Sequence, residues 1–310
     1  MNITFYRLTA LLTFLLTFWP LFSQNYEIGR METDFIDPSR EDRLIEALIL
    51  YPADSAGFDV AVALPVRKGF PVIVFGHGYL MPADAYRNIW ESLVPEGYVV
   101  VLPRSGSGMF PSHKEFGFDM AFMLEEMIRL NRDSASLFSG KLKPDGCLMG
   151  HSMGGGAAIL GAPQSRAVRT LVILAPLDTR PSAVKTAQEI SLPSLVFAGS
   201  NDCITPPKKH QLPIYESLQS SQKTYINIKG GSHCQMAENN RHCNFAEASF
   251  DLEPGITREE QHRILNCYIL PWLDFYLCGD TAAGRRFEQS LDADPAISYK
   301  RNGSFNKDKG

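Results

Sequence analysis

Residues 147–160 run from the short apolar stretch Cys147-Leu148-Met149, through Gly150-His151-Ser152-Met153-Gly154, into Gly155-Gly156-Ala157-Ala158-Ile159-Leu160. Strand, tight turn and helix follow one another without a linker, which commits this part of the chain to a strand-to-helix unit. The glycines supply what the turn needs. A serine at its tip sits in strained backbone, and its neighbours must lack side chains for strand and helix to approach. The spacing G-x-S-x-G makes Ser152 a candidate nucleophile. Because the bare motif also arises as a glycine-rich turn with an incidental serine, the rest of the chain has to decide.

The alternation extends well beyond this unit. Residues 45–51 form an apolar run stopped by Pro52, 71–75 a β-branched run ending in Gly76-His77-Gly78, and 98–102 another stopped by Pro103. Helical spacing marks 83–93, with Tyr86, Ile89, Trp90 and Leu93 on one side, and 116–130, with Met120, Leu124, Met127 and Ile128. Further strands are expected at 170–174, 195–198 and 224–228, and a last helix over 257–277, interrupted by Pro271. Strands alternating with helices imply a mainly parallel central sheet covered by helices on both faces, with ligands bound at the carboxyl ends of strands. Four motifs follow strand ends and are expected on that one edge: Gly76-His77-Gly78-Tyr79, Ser152, Asn201-Asp202 and Gly230-Gly231-Ser232-His233.

At 310 residues, 45% hydrophobic and net charge −4, the chain suffices for one large α/β domain, and its scattered basic residues leave no footprint for nucleic acid. Residues 1–7 carry a positive charge, 8–22 are almost unbroken apolar sequence, and Ser23 is a small residue before a polar stretch. This is a secretory signal peptide pattern over 1–23, the apolar run falling short of the ~20 residues of a spanning helix. A secreted or periplasmic monomer without a stable membrane anchor is expected, with its catalytic domain over 24–290 and a partly disordered extension over 291–310. Lys300 to Lys309, mixed with Gly, Ser and Asn, reads as a disordered end. The six cysteines, at 147, 203, 234, 243, 267 and 278, all follow the signal, so disulfides are expected in an oxidising compartment. Cys267 and Cys278 cannot pair across a continuous helix that would hold them about 16 Å apart. Cys234, His242 and Cys243 lie close together, yet no C-x-x-C or H-x-x-x-H spacing supports a metal site, and neither metal nor cofactor is expected.

A serine hydroxyl is a poor nucleophile at neutral pH and needs a base, which in turn needs a group to hold its tautomer. In an α/β-hydrolase these arrive in the order Ser, Asp or Glu, His. The chain offers that order at Ser152, Asp202 and His233, each directly after a strand. Asp178 competes for the acid position, but it lies one strand early. Of the other histidines, 77, 113, 151, 210, 242 and 262, none sits in a glycine-rich loop after the last central strand. His151, inside the elbow, is expected to pack beside the nucleophile rather than act as base. Acyl transfer also needs donors aimed at the developing oxyanion. The backbone N–H of Met153 and that of Tyr79 are the candidates, with the Tyr79 ring walling the acyl site.

Gly76-His77-Gly78-Tyr79, Gly150-His151-Ser152-Met153-Gly154-Gly155-Gly156, Ser200-Asn201-Asp202 followed by Pro206-Pro207, and Gly231-Ser232-His233-Cys234 together resemble the bacterial polyesterase, lipase and cutinase branch of the α/β-hydrolases. That branch is dienelactone-hydrolase-like and includes the PET hydrolases. Trp272-Leu273, Gly279-Asp280 and Phe287 resemble the family's closing helix and following loop, so the likeness spans roughly 44–289. It implies an α/β-hydrolase fold and ester hydrolysis without a cofactor, on small-molecule or polymeric esters. The implied triad is Ser152, Asp202 and His233; the implied oxyanion hole is Tyr79 and Met153. Lipid deacylation, other serine-hydrolase reactions and a non-catalytic binding protein on this scaffold are the alternatives.

Two departures from the family stand out. Leu177 occupies the substrate-binding position where PET-active members place a tryptophan, and the remaining tryptophans after the signal, Trp90 and Trp272, fall in helical segments, so no stacking platform for an aromatic ring is expected. The stretch 234–255 is longer than usual and is expected to shape the leaving-group side of the cleft. Cys203 follows Asp202 and Cys234 follows His233; if acid and base meet, a Cys203–Cys234 bridge would staple both loops, with Cys234–Cys243 as its rival.

Overall fold

The strand β4 (Phe70–Gly76) is buried at every position, as expected of a strand covered on both faces. It lies inside one sheet whose members along the chain are β1 (Glu27–Asp37), β2 (Arg43–Ala53), β3 (Gly57–Phe58), β4, β5 (Val99–Pro103), β6 (Leu142–His151), β7 (Val168–Leu174), β8 (Ser194–Gly199), β9 (Lys223–Ile228) and β10 (Ile297–Asn302). The computed structural model describes residues 25–249 and 253–305, so the expected signal peptide lies outside the described residues. Across the sheet the order is β10-β9-β8-β7-β6-β4-β5-β2-β1-β3. Strands β4 to β9 are mutually parallel. Antiparallel pairs close both sides, β1 on β2 on β5 and β10 on β9.

Period-two alternation divides the core. Val72 and Val74 of β4 join Leu148, Leu171, Ile173 and Val196 on one face, while Ile73 and Phe75 join Met149, Val172 and Leu195 on the other. The eight described α-helices are α1 (Arg87–Leu93), α2 (His113–Leu130), α3 (Met153–Gly161), α4 (Ala183–Ala187), α5 (Gln211–Ser217), α6 (Arg241–Ala248), α7 (Arg258–Cys278) and α8 (Thr281–Ala293). The first face is covered by α2 and α3, with Met120, Leu124 and Met127 buried, and the second by α1, α7 and α8, with Trp90, Tyr268, Trp272 and Phe287 buried. Close approach of α2 to α3 rests on Gly117, where an added Cβ would stand 2.4 Å from the Ala157 carbonyl oxygen. Asp119 of α2, fully buried, is held by Arg40 at 2.7 Å and by Nε and Nη2 of Arg43, both at 2.8 Å, tying the β1–β2 hairpin to the helix layer.

Three sequence expectations need correction. The long strand β1 was missed because Glu27–Asp37 lies on an antiparallel, half-solvated edge and carries polar residues on its open face. Pro271 does not interrupt α7, which runs on to Cys278 and stops at Gly279, in the left-handed region with φ 73°. Lys300, Arg301 and Asn302, read as part of a disordered end, belong instead to β10, paired from Ile297↔Ile228 to Asn302↔Lys223. Charge composition suggested solvation, but an unpaired β9 edge offers those residues a ladder of backbone hydrogen bonds.

Candidate active site

Because β4, β6, β8 and β9 are parallel, the four sequence motifs do reach one edge of the sheet. Ser152 stands between the end of β6 and the start of α3 with φ 55° and ψ −117°, a conformation that costs a non-glycine residue of order 1–3 kcal/mol and persists only when its surroundings over-determine it. Here they do. Its N–H donates to Leu174 O at 2.9 Å, and its carbonyl accepts from Leu177 N at 2.9 Å and Gly156 N at 3.1 Å. The glycines are required by contact: a Cβ on Gly150 would lie 2.4 Å from Gly154 O, and one on Gly154 2.1 Å from Gly76 O.

Asp202 and His233 come from separate loops that are laced together, with Asn201 N–H donating to Gly231 O at 2.8 Å. The His233 loop is clamped from α7, where Gln261 accepts from Ser232 N and donates to Ser232 O, both at 2.9 Å. His233 Nδ1 lies 2.8 Å from Asp202 Oδ2, with the two side chains 3% and 0% exposed. Asp202 is itself fixed, accepting from Thr205 N at 2.7 Å, from the Thr205 hydroxyl at 2.9 Å and from Gln211 Nε2 at 3.3 Å. Thr205 Oγ1 also stands 2.9 Å from His233 Nδ1. Ser152 and His233 line one cleft of about 270 Å³, together with Tyr79, Leu80, Met81, Ile204 and His151. The far wall is α6, through His242, Cys243 and Ala246.

Tyr79 turns a half-exposed ring to this cleft and anchors its hydroxyl to Met109 O at 2.8 Å. The Met153 side chain, by contrast, is buried in the core on the α2 and α3 face, so only its backbone N–H, at the first position of α3, is offered to a ligand. Leu177 is half-buried, bonded through its own N–H to the elbow, and is not among the residues lining the cleft. The competing acid and most competing bases are engaged elsewhere. Asp178 accepts from Ser182 Oγ at 2.8 Å and Val184 N at 3.1 Å at the start of α4, while His210 and His113 accept from the N–H groups of Asp178 and Arg180. His77 lies between the carbonyls of Gly78 and Ser105. Among the described residues no group of three or more His, Cys, Asp or Glu is placed to hold a metal ion.

The bridge expected between Cys203 and Cys234 does not form. Cys234 pairs with Cys243, Cα atoms 5.6 Å apart, and Cys203 is a free, half-buried thiol. The rival pairing prevails because Asn240 caps α6, accepting from the N–H groups of His242 and Cys243 at 3.0 and 3.2 Å, so the helix begins where Cys243 swings back onto Cys234. Burial, then the nearby Glu247 and Asp202 carboxylates, raises the Cys203 thiol above its ordinary range. The 234–255 stretch does border the cleft, as its length suggested, but it does so as the helix α6, which sequence reasoning did not foresee because the segment is short and mixed in polarity. Thr205 was missed as well, although Asp202 followed three residues on by a threonine is a usable Asx-type signal.

The PETase (PET hydrolase-like) family profile matches residues 61–250. The cutinase of Thermobifida fusca (strain YX) is 25% identical over 301 residues, covering 95% of this chain and 89% of that protein. Two further relatives are matched over about half their length: Cutinase 1 of Thermobifida cellulosilytica at 28% identity over 167 residues, covering 54% of this chain and 52% of that protein, and the bis(hydroxyethyl) terephthalate hydrolase of Streptomyces coelicolor (strain ATCC BAA-471 / A3(2) / M145) at 32% over 165, covering 53% and 50%. With this sheet, this elbow and a profile match across well over half of the chain, the chain belongs to the PET hydrolase-like family, on an α/β-hydrolase fold.

Proposed function

We propose that this chain is a serine carboxylic-ester hydrolase working through an acyl-enzyme. The observation that carries the reading is the buried Asp202–His233 pair opening on the same cleft as a strained Ser152. Asp202 holds the Nδ1–H of His233, leaving Nε2 to take the Ser152 Oγ proton as Oγ attacks the ester carbonyl. The developing oxyanion is met by the backbone N–H groups of Met153 and Tyr79, the former at the positive end of α3. His233 returns its proton to the departing alcohol, and water then repeats the sequence on the acyl-serine. Ser152→Ala is expected to lower turnover of short p-nitrophenyl esters by three orders of magnitude or more with the far-UV circular dichroism unchanged. Undiminished turnover in that variant would overturn the assignment.

Among esters, the cleft's mainly apolar lining, with Leu80, Met81, Ile204 and Ala246, and the exposed Met109, whose carbonyl holds the Tyr79 hydroxyl, favour a hydrophobic, polyester-like or cutin-like acyl chain. Trp90 and Trp272 are 2% and 1% exposed in the core, so neither can stack an aromatic diacid unit. Aliphatic polyester is therefore the preferred polymer, tested by comparing release from aliphatic and aromatic polyester nanoparticles. Secretion is proposed from the signal pattern. The Cys234–Cys243 bridge supports it, and no described helix is long and apolar enough to cross a membrane.

A further inference from the structure

Tyr86 closes a short 3-10 turn, Ala83–Tyr86, ahead of α1, and it is completely buried. Its hydroxyl accepts from Gly78 N–H at 2.7 Å, and the same oxygen stands 3.0 Å from His151 Nδ1. The His151 ring, also fully buried, lies 4.6 Å from the His233 ring, tilted by 45°. The turn and the first residues of α1 touch the His233 loop independently, since Ala85 O accepts from Glu238 N at 2.7 Å and Asn88 Nδ2 donates to Met236 O at 3.2 Å. Three segments of the hydrolytic centre thus meet around this turn: the Gly78-Tyr79 loop and the elbow on the Tyr86 hydroxyl itself, and the His233 loop on its neighbours Ala85 and Asn88.

We propose that Tyr86 is a positioning residue: it takes the Gly78 N–H and gives its own proton to His151 Nδ1, holding oxyanion loop and elbow together and keeping His151 a neutral ring protonated on Nε2 beside His233. The inference rests on the serine-hydrolase reading above. Its chemistry follows from a count of protons. Tyr86 has one, and the alternative acceptor within reach is Met81 Sδ at 3.5 Å, a thioether and much the weaker acceptor. With Nδ1 occupied as acceptor, the neutral ring carries its proton on Nε2. Space enforces the arrangement, because a Cβ on Gly78 would meet the Tyr86 hydroxyl at 3.0 Å and His151 Nδ1 at 3.3 Å. The titratable groups facing His151 are Tyr86 from the turn before α1, His233 with Asp202 behind it, and His242 across the cleft on α6. Burial, reinforced by the adjacent His233, holds His151 well below the ordinary histidine range, and burial pushes the Tyr86 phenol up. When His233 gains the serine proton, its neighbour therefore does not compete for it.

The test uses the full mature chain. Long-range proton–nitrogen NMR of the histidine rings should find His151 neutral from pH 5.5 to 8, with Nδ1 as acceptor and the proton on Nε2. Tyr86→Phe should lower kcat on p-nitrophenyl butyrate ten- to a hundredfold while KM stays within about threefold, and should abolish the fixed tautomer. A His151 protonated on Nδ1 or charged in that range overturns the proposal, as does a folded Tyr86→Phe protein with wild-type kcat. Should that variant not fold, the wild-type tautomer decides alone. Ser152→Ala separates the two readings: if it stays active the hydrolase assignment fails, whereas an inactive Ser152→Ala beside an unimpaired Tyr86→Phe sinks only the role of Tyr86.

Discussion

Ser152 and His151 are neighbours with opposite demands on their surroundings. The serine is held in strained backbone by bonds to Leu174, Leu177 and Gly156, and it reaches the cleft. The histidine beside it is fully buried at the cleft floor, and that burial has a consequence for stability. In the unfolded chain a histidine takes up its proton near pH 6.5, whereas buried His151 resists protonation well below that value. Below pH 6.5 the unfolded state therefore binds more protons, and stability falls as the pH drops, with a slope approaching about 1.4 kcal/mol per pH unit for each such group. His151→Phe should flatten the dependence of unfolding free energy on pH between 6.5 and 5 by up to that slope. An unchanged slope in denaturant titrations would show that His151 protonates freely in the fold.

At the scale of the element, α6 is a wall supported from below. The disulfide joins it to the residue after His233, Glu247 Oε1 accepts from Cys234 N at 3.2 Å, and Arg258 of α7 reaches the carbonyls of Cys234 and Ala237 as well as Asn244 Oδ1. Cys243→Ser, made with Cys234→Ser so that no thiol is left free, removes a cross-link spanning nine residues and should cost about 2–3 kcal/mol on the chain-entropy estimate. Since Cys243 and Ala246 line the cleft, KM for short esters should rise several-fold with kcat within about twofold. A lowered melting temperature with unchanged KM would restrict α6 to a structural part.

Over the whole molecule, the sheet is sealed at one end by its last strand. Beyond β10, Phe305 packs against Phe275 at 4.6 Å, Phe287 at 5.1 Å, Tyr276 at 5.6 Å and Trp272 at 5.8 Å, so the C-terminal segment completes the core over α7 and α8. Truncation after Asp294 would bare the β9 edge and empty the Phe305 site, costing about 3 kcal/mol or more, a melting shift of roughly 6–12 °C. It should also promote aggregation through the open edge, measurable by light scattering. A truncated protein that melts with the full chain would mean that this segment does not bear on the core.

Local pattern alone determined much of this protein. The run around Ser152, the β-branched stretches ending in glycine and the order of Ser152, Asp202 and His233 depend on neighbours in sequence, and those neighbours dictate strand, turn and the edge each residue reaches. Pairing and covering were decided only in three dimensions. Whether Cys234 takes Cys203 or Cys243, whether Lys300 is solvated or laddered onto β9, and whether Leu177 lines the cleft all turn on distances between segments far apart in the chain. Composition carries no information about such distances. Tyr86 makes the point most sharply: helical periodicity marks it as a core residue, but only the packed molecule brings Gly78 and His151 to its hydroxyl.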